Sequence, residues 1–274
     1  MKHYQRLEGM VAATFTPMDA RGDINLSVID KYADLMAESG MAGVFVCGTT
    51  GESHSLTTEE RKAILAQWIK SARKRFKVIA HVGSNCQLEA MELARHAQEV
   101  EADAFAAMAP CFFKPSSVKD LVDFFTPIAQ SAPDLPFYYY NMPSMTGVSL
   151  SVPSFLIEGK KTMPNLVGTK FTHNNLMEMG ECLELNNGEF EVLHGILIAG
   201  LALGAVAGVG STYNYLPAVY QNLFDAFKKG DICTARRMQQ KSIEIVKIII
   251  KYGGGVRGGK AIMNLIGVDC GRCR

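Results

Sequence analysis

A lysine interrupts an apolar run in the second half of the chain. Residues 165–172 read NLVGTKFT, so Lys170 follows a stretch typical of a buried strand. One interpretation is structural: the stem lies on apolar surface and the ammonium reaches water. The other is catalytic, because a desolvated amine is held in its neutral form and can attack a carbonyl carbon. The local sequence leaves both interpretations open.

Two further stretches carry groups that could assist such an amine. Tyr140 lies in PFYYYNMP (136–143), and a phenol can relay a proton to and from a reacting hydroxyl. Thr49 and Thr50 lie in CGTTGE (47–52), a glycine-flanked turn whose hydroxyl and backbone N–H groups could hold a carboxylate. These residues can act together only if the fold brings three distant segments to one place.

The elements that must position them alternate along the whole chain. Mostly continuous apolar runs predict strands at 10–18, 42–48, 77–83, 102–110, 136–143, 165–172, 190–195 and 205–212. Amphipathic patterns predict helices at 26–39, 57–75, 87–100, 117–131, 216–229 and 232–251, with less distinct ones at 151–157 and 196–204. Thr57 and Glu60 have the spacing of a capping box at a helix start.

This alternation predicts an α/β fold, a (β/α)8 TIM barrel with additional C-terminal helices. We assign residues 1–230 to a catalytic barrel and 231–274 to a helical extension. The alternative is an open doubly wound sheet. Such a sheet would require a glycine-rich phosphate turn after its first strand, and the sequence there, TFTPMDARGD (14–23), is not one. In a barrel the strands' carboxyl ends share one mouth, which would gather Lys170, Tyr140 and the threonine turn.

The composition excludes several classes of partner. The 274 residues are 48% hydrophobic and carry a net charge of +1 with scattered cations, so we expect a sizeable core and no nucleic-acid partner. The longest apolar stretch (196–210) is short and broken by glycines, so we expect no membrane partner. MKHYQRLEGM (1–10) has no apolar signal region, and seven scattered cysteines suit reduced thiols, so we expect a cytoplasmic protein.

Two short motifs are weak matches to known sites. Cys270 and Cys273 form a lone C-x-x-C without further zinc ligands, and we expect neither a metal nor a cofactor. GGVRGGKA (254–261) fits the phosphate-loop spacing, but Ala261 stands where a magnesium-binding hydroxyl belongs. We interpret this segment as a glycine-rich loop between terminal helices.

Four strings occur in order on the predicted strands: GTTGE (48–52), YYYNMPSMTGV (138–148), GTKFT (168–172) and GSTYN (210–214). With them the chain resembles the pyruvate-dependent class I aldolases of the dihydrodipicolinate synthase and N-acetylneuraminate lyase superfamily, over about residues 7–267. Met145 stands where dihydrodipicolinate synthases carry an arginine, so the resemblance favours the lyase branch.

The resemblance implies that Lys170 forms a Schiff base with a 2-oxo acid and that Tyr140 moves the proton. It implies that Thr49 and Thr50 hold the pyruvyl carboxylate, whereas we interpret Glu52 as a helix-start carboxylate. It also implies contacts to the remainder of the sugar acid from Thr172, Gly195 and Ser211. The implied reaction cleaves sialic acid to N-acetylmannosamine and pyruvate, and the implied assembly is a homotetramer.

The chain departs from the lyase pattern in three places. The Asp-Glu pair that usually follows the glycine ending strand seven is absent, since Gly195 precedes Ile-Leu-Ile (196–198). Each lost hydrogen bond from a substrate hydroxyl to a carboxylate would cost roughly 1.5–3 kcal/mol. Phe112 and Phe113 stand where a tyrosine often reaches the neighbouring subunit, and the chain ends before the family's usual final helices.

These departures keep two alternatives open. The same chemistry could act on a smaller 2-oxo acid, such as a keto-deoxy sugar acid, and the missing acidic pair favours that substrate. The barrel could also bind a 2-oxo acid without catalysis, although it retains both Lys170 and Tyr140.

Overall fold

Eight parallel strands close into a barrel in the computed structural model, which describes residues 5–274. Each strand pairs with the next along the chain, and the eighth pairs with the first. The strands are β1 (Gly9–Ala13), β2 (Gly43–Val46), β3 (Lys77–His81), β4 (Ala104–Met108), β5 (Phe137–Asn141), β6 (Leu166–Phe171), β7 (Glu191–His194) and β8 (Ala207–Gly210). The predicted (β/α)8 architecture with C-terminal helices is confirmed. Residues 1–4, at the start of the segment judged to lack a signal region, lie outside the described part.

Helices connect the strands and surround the barrel. They are α1 (Val28–Glu38), α2 (Thr58–Ala72), α3 (Gln87–Glu99), α4 (Val118–Gln130), α5 (Pro143–Thr146), α6 (Val152–Lys160), α7 (Leu176–Glu184), α8 (Leu197–Ala202), α9 (Pro217–Lys228), α10 (Ile232–Lys251) and α11 (Gly255–Leu265). The predicted capping box at α2 is present, with Thr57 Oγ1 accepting from Glu60 N and Glu60 Oε2 accepting from Thr57 N. In the described chain no helix combines the length and apolarity that a membrane span requires.

The glycine-rich segment 254–261 is helical, so its interpretation as a loop was wrong. Helix α11 begins at Gly255, after Gly254 has adopted a positive φ of 91°. Glycine lowers intrinsic helix stability, but here Gly258 and Gly259 pack so closely on other segments that a larger residue would not fit. Tertiary packing therefore overrides the local preference.

Helix α7 was not predicted, although its N-cap signal is present in the sequence. Asn175 Oδ1 accepts a hydrogen bond from Glu178 N at 3.2 Å, as an N-cap residue does. The nine-residue helix is short and buries few apolar side chains, so its periodicity is weak.

The core has two layers, one inside the barrel and one between the strands and helices. The three consecutive tyrosines of β5 show the alternation: Tyr138 and Tyr140 point into the barrel, whereas Tyr139 packs outward on Phe125 and Phe155. Alternate residues of each strand thus fill the interior, and only the last inward residues reach the mouth.

Gly168 allows β6 and β7 to approach each other closely. A Cβ at this position would lie 2.1 Å from Glu191 O, inside van der Waals contact. The register between β5 and β6 also shifts at Phe137 and Tyr138, just before Tyr140 aligns with Lys170. The glycine of the GTK string therefore fixes the strand that carries the lysine.

Candidate active site

Lys170 is the next-to-last residue of β6 and is buried, with 6% of its surface exposed. Its Nζ donates a hydrogen bond to Thr172 Oγ1 at 3.0 Å and lies 3.7 Å from the centroid of the Tyr140 ring. Within residues 5–274 no carboxylate forms an ion pair with this amine. Little of the side chain is therefore available to water, although the structural interpretation requires the ammonium to reach water. The amine lies among hydroxyl and aromatic groups inside the mouth.

Tyr140 connects Lys170 to the turn that follows β2. Its hydroxyl lies 3.1 Å from Thr49 Oγ1 and donates to Met142 Sδ at 3.0 Å. Its ring is held edge-on between Phe45 and His81, with centroid distances of 5.5 and 5.6 Å. The phenol therefore has a fixed ring and a hydroxyl with weak partners, which a substrate oxygen can replace.

The turn at residues 47–52 brings Thr49 and Thr50 to the mouth. Glu52 N donates to Thr49 O at 3.1 Å, which closes the turn, and both threonines are half-buried. Gly48 is required because a Cβ there would lie 2.6 Å from the Phe45 ring. The structure thus brings Lys170, Tyr140 and Thr49 into one connected group, with Thr50 beside it.

Glu52 does not act as a helix-start carboxylate, and that interpretation was wrong. Its Oε1 lies 2.7 Å from Lys260 Nζ, and its Oε2 accepts from the backbone N–H of Arg274 at 2.9 Å. A single 3-10 turn (Ser53–Ser55) follows Glu52, but the Glu52 side chain makes no capping hydrogen bond to it. Helix α2 begins further along the chain and is capped by Thr57 and Glu60. The carboxylate of Glu52 is therefore directed toward the C-terminal segment.

His81 and Arg61 lie beneath the turn and were not predicted as site residues. His81 Nδ1 donates to Cys47 O at 2.9 Å, which leaves Nε2 as an acceptor with no partner among the described atoms. Arg61 donates to His81 O and Gly83 O at 2.7 and 3.0 Å. Burial, and secondarily the Arg61 charge, lower the pKa of His81 well below its usual value. The sequence signal that could have revealed His81 is its position at the carboxyl end of β3, where barrel site residues lie.

A second group lines a cavity of about 240 Å³ on the other side of Lys170. Its lining residues are Ser144, Thr172, His173, Asn174, His194, Gly195 and Ile196. Thr172 and Gly195 were predicted substrate contacts, and the structure brings them together here. No carboxylate belongs to this lining, in agreement with the sequence. Burial lowers the pKa of His194, whose Nδ1 donates to Phe171 O at 2.8 Å.

Ser211 follows β8 and does not line that cavity. Its carbonyl accepts from Asn214 Nδ2 at 2.7 Å, and the same amide donates to Ala13 O at 2.7 Å. The Asn214 Oδ1 accepts from the Tyr32 hydroxyl at 2.6 Å. The GSTYN string therefore contains a buried asparagine that joins the ends of β8 and β1, a role that the sequence did not reveal.

A larger cavity of about 780 Å³ opens beside Thr49 and extends to Val256 and Arg274. This volume lies in the range of small-molecule sites. Across the described residues, His, Cys, Asp and Glu form no group of three or more that could hold a metal ion. Lys170 is hydrogen-bonded to Thr172, which lines the smaller cavity. The Tyr140 hydroxyl contacts Thr49, which lines the larger cavity.

A closed α/β barrel with a buried lysine, a neighbouring phenol and a hydroxyl-bearing turn at its mouth defines a class of protein. It has the parts of a lysine-dependent aldolase, which uses an amine to activate a carbonyl compound.

The chain belongs to the dihydrodipicolinate synthetase family, which it matches over residues 6–274. It is 41% identical to the N-acetylneuraminate lyase of Mus musculus over 268 residues, covering 96% of this chain and 84% of that protein. The structure of the Proteus mirabilis N-acetylneuraminate lyase is 38% identical, with a TM-score of 0.95 over 98% of this chain and 92% of that one. A sialic acid aldolase of Ruminococcus gnavus, solved as a catalytic lysine mutant, has a TM-score of 0.94 at 27% identity, covering all of this chain and 90% of that one.

Proposed function

We propose that the protein is a class I aldolase that cleaves N-acetylneuraminate to N-acetylmannosamine and pyruvate. The observation that carries the proposal is the buried Lys170 amine, 3.0 Å from Thr172 Oγ1 and beside the Tyr140 ring. Relatives named N-acetylneuraminate lyase at about 40% identity support this substrate. The reaction makes the protein a carbon–carbon lyase.

The chemistry begins at the keto carbon of the open-chain substrate. The neutral Lys170 amine attacks this carbon, and loss of water gives a protonated imine joined to Nζ. The imine attracts electrons from the neighbouring C3–C4 bond. Thr49 and Thr50 hold the adjacent carboxylate, which orients that bond against the imine plane.

Bond cleavage requires a base for the C4 hydroxyl. Tyr140 is the group in place, since its hydroxyl lies 3.1 Å from Thr49 Oγ1 on the carboxylate side of Lys170. As the C3–C4 bond breaks, the C4 hydroxyl proton passes through the phenol toward the substrate carboxylate, and the aldehyde of N-acetylmannosamine leaves. The remaining enamine is protonated at C3, and water then releases pyruvate and restores the Lys170 amine.

Borohydride trapping tests the nucleophile. Pyruvate and borohydride should add one reduced pyruvyl group to the protein, and peptide mass spectrometry should place it on Lys170. Lys170→Arg keeps a long basic side chain but removes the nucleophilic amine, so it should remove the adduct. An adduct on another lysine, or none in the unaltered protein, would refute the proposal.

A second candidate substrate is a smaller 2-oxo acid, such as a keto-deoxy sugar acid. The specific observation in its favour is the cavity beside Thr172 and Gly195, whose lining contains no carboxylate. Thr172 and Gly195 would contact the first hydroxyls beyond the cleaved bond, and Ser211 would lie nearest on the β8 side. Comparing kcat/KM for N-acetylneuraminate and for shorter acids decides between them: faster turnover of the shorter acids would replace our first assignment.

We also infer that the protein works as a homotetramer, as the family resemblance implies, and in the cytoplasm, as its scattered cysteines indicate. Phe112 and Phe113 support an assembly, because both rings are exposed and contact each other edge to face on the mouth side of β4. Light scattering on the purified protein should give four times the chain mass of 29.9 kDa. A monomer mass would contradict the inference.

A further inference from the structure

The turn at residues 47–52 has an unfavourable backbone conformation at both ends. Cys47 has a φ of 55° and Glu52 a φ of 58°, and neither is glycine. Left-handed backbone at such residues persists only where the surrounding structure holds it. Thr49 and Thr50 lie between these two residues, so whatever holds the ends also sets the direction of the two hydroxyls.

The Glu52 end is held by a buried ion pair. Oε1 of Glu52 lies 2.7 Å from Nζ of Lys260, and the exposed fractions of the two side chains are 8% and 2%. The other oxygen accepts from Arg274 N at 2.9 Å. Lys260 Nζ donates its hydrogen bond to Arg272 O at 2.7 Å, so its contact with Glu52 is one of charge. The carboxylate therefore joins the turn to both α11 and the chain segment that follows it.

The glycines of α11 allow Lys260 to reach this position. A Cβ at Gly259 would lie 2.3 Å from the Phe15 ring, and one at Gly258 would lie 2.7 Å from a methyl carbon of Ile249. Phe15 follows β1, so Gly259 lets α11 rest directly on the barrel. Segment 254–261, whose spacing resembles a phosphate loop, therefore has a different role: it places the Lys260 ammonium at the base of the turn.

We propose that Lys260 and Glu52 are positioning residues for the carboxylate-binding turn. Their ion pair keeps Glu52 in its left-handed conformation and thereby holds Thr49 and Thr50 in the orientation that binds the pyruvyl carboxylate. This inference rests on the proposed function for its effect on catalysis. Its structural part, the anchoring of the turn, does not depend on that function.

Lys260→Gln tests the pair. The variant leaves the Glu52 carboxylate buried without its cation, so the turn loses its anchor. We expect the pyruvate concentration for half-maximal trapping on Lys170, and KM for cleavage, to rise about tenfold while kcat changes less than about threefold. Glu52→Gln should give the same pattern. The double variant E52Q/K260Q should recover part of the loss, because two amides can hydrogen-bond without an unpaired buried charge.

Met263→Ala is the matched control. Met263 is buried on the same helix, so its truncation loosens α11 without touching the ion pair. The folded M263A protein should keep the KM of the unaltered protein. An equal rise of KM in M263A and K260Q would overturn the proposal, because any loosening of the helix would then have the same effect.

Amide hydrogen exchange gives a readout that requires no activity. The N–H groups of Glu52 and Ser53 donate to Thr49 O and Gly48 O, so their protection reports directly on the turn. K260Q should accelerate exchange at these amides, and M263A should not. Unchanged exchange in K260Q overturns the inference whatever the activity. Faster exchange in K260Q, combined with no pyruvate adduct in the unaltered protein, would retain the anchoring role and reject the proposed function.

Discussion

At the scale of single residues, the site depends on what surrounds one amine. Lys170 donates to a hydroxyl and lies against a phenol ring, so its near neighbours are groups that a substrate can displace or use. An ion pair with a carboxylate would instead occupy the nitrogen. Thr172 and Tyr140 are thus the groups that contact the amine, and both can exchange a proton with a bound substrate.

Tyr140→Phe should separate imine formation from bond cleavage. The phenylalanine ring can keep the edge contacts to Phe45 and His81, so the lysine's surroundings stay intact. Loss of the hydroxyl removes the proton relay, and kcat for cleavage should fall about 10²- to 10⁴-fold. Trapping with pyruvate should continue on Lys170. Cleavage at the original rate would show that another group accepts the C4 proton.

His81 should make the fold sensitive to acid. Its pKa is lowered in the folded state, so below about pH 6.5 the unfolded chain binds a proton that the folded chain does not. Stability is therefore fully present above that pH and is lost as the pH falls, by at most about 1.4 kcal/mol per pH unit for one such histidine.

Urea unfolding at several pH values between 5 and 7.5 measures this dependence. His81→Gln should reduce the slope of the unfolding free energy against pH, since one buried proton acceptor is gone. Met263→Ala should lower stability equally at every pH and leave the slope unchanged. An unaltered slope in H81Q would mean that other groups, such as His194, dominate the acid response.

The sequence predicted part of this residue-scale picture. Lys170, Tyr140 and Thr49 could be found because each follows an apolar run, and strand ends share one mouth. His81 satisfies the same criterion and was missed, since a lone histidine carries no motif. The ion pair of Glu52 with Lys260 could not be predicted, because it joins residues 208 positions apart through a helix that the sequence did not reveal.

At the scale of elements, strand spacing is fixed by residues without side chains. Gly168 is the clearest case, since a Cβ there would lie 2.1 Å from Glu191 O. The ladder between β6 and β7 carries Lys170 two residues later. Any separation of these strands therefore moves the amine relative to Tyr140.

Gly168→Ala should destabilise the protein and reduce activity together. The added methyl must push β7 away, and such overpacking typically costs about 1–3 kcal/mol, with more expected where backbone is the obstacle. The control is Gly180→Ala in α7, where the space around the new Cβ is open. That change should stabilise the helix by about 0.5–1 kcal/mol. Thermal unfolding and kcat/KM measure both effects, and a G168A protein as stable and active as the original would contradict this account.

Periodicity predicted the strands and most helices because each buries a regular pattern of side chains. The predicted strands extend beyond the observed ones where the chain stays apolar after leaving the sheet. Residues 14–18 are an example: β1 ends at Ala13, and Pro17 has no N–H to donate. Helices α5 and α7 were missed because they are short, and α11 was missed because it contains glycines that only close packing explains.

At the scale of the whole molecule, the last residues return to the first loops. Met18 N donates to Cys270 O at 3.1 Å, and the Arg274 guanidinium donates to Gly22 O at 2.8 Å and Ser55 O at 2.8 Å. These contacts join the C-terminal segment to the connections after β1 and β2. The barrel's mouth is therefore assembled from both ends of the chain, and sequence alternation alone does not specify that closure.

Arg274 binds the carboxylate of Glu60 with two hydrogen bonds of 2.7 Å, and this contact lowers the pKa of Glu60. Because the folded-state pKa is lowered, the stabilisation is present above the ordinary glutamate range near pH 4.3 and is lost as the pH falls through the folded value. Arg274→Ala should therefore cost about 1.5–3 kcal/mol of unfolding free energy at pH 7.

The same substitution should cost progressively less as the pH falls below about 4.3, where Glu60 of the unfolded chain binds a proton that the paired carboxylate of the folded chain does not. Arg272→Ala is the matched control, since within residues 5–274 its guanidinium donates only to the carbonyls of Ala20 and Cys273, each at 3.4 Å. Its smaller cost should not depend on pH. Urea unfolding of the three proteins at pH 7 and at about pH 3.5 measures both losses of unfolding free energy. A cost of R274A that stays constant with pH would mean that the tail is held by its carbonyl contacts, and that the pairing of Arg274 with Glu60 contributes nothing to the closure of the mouth.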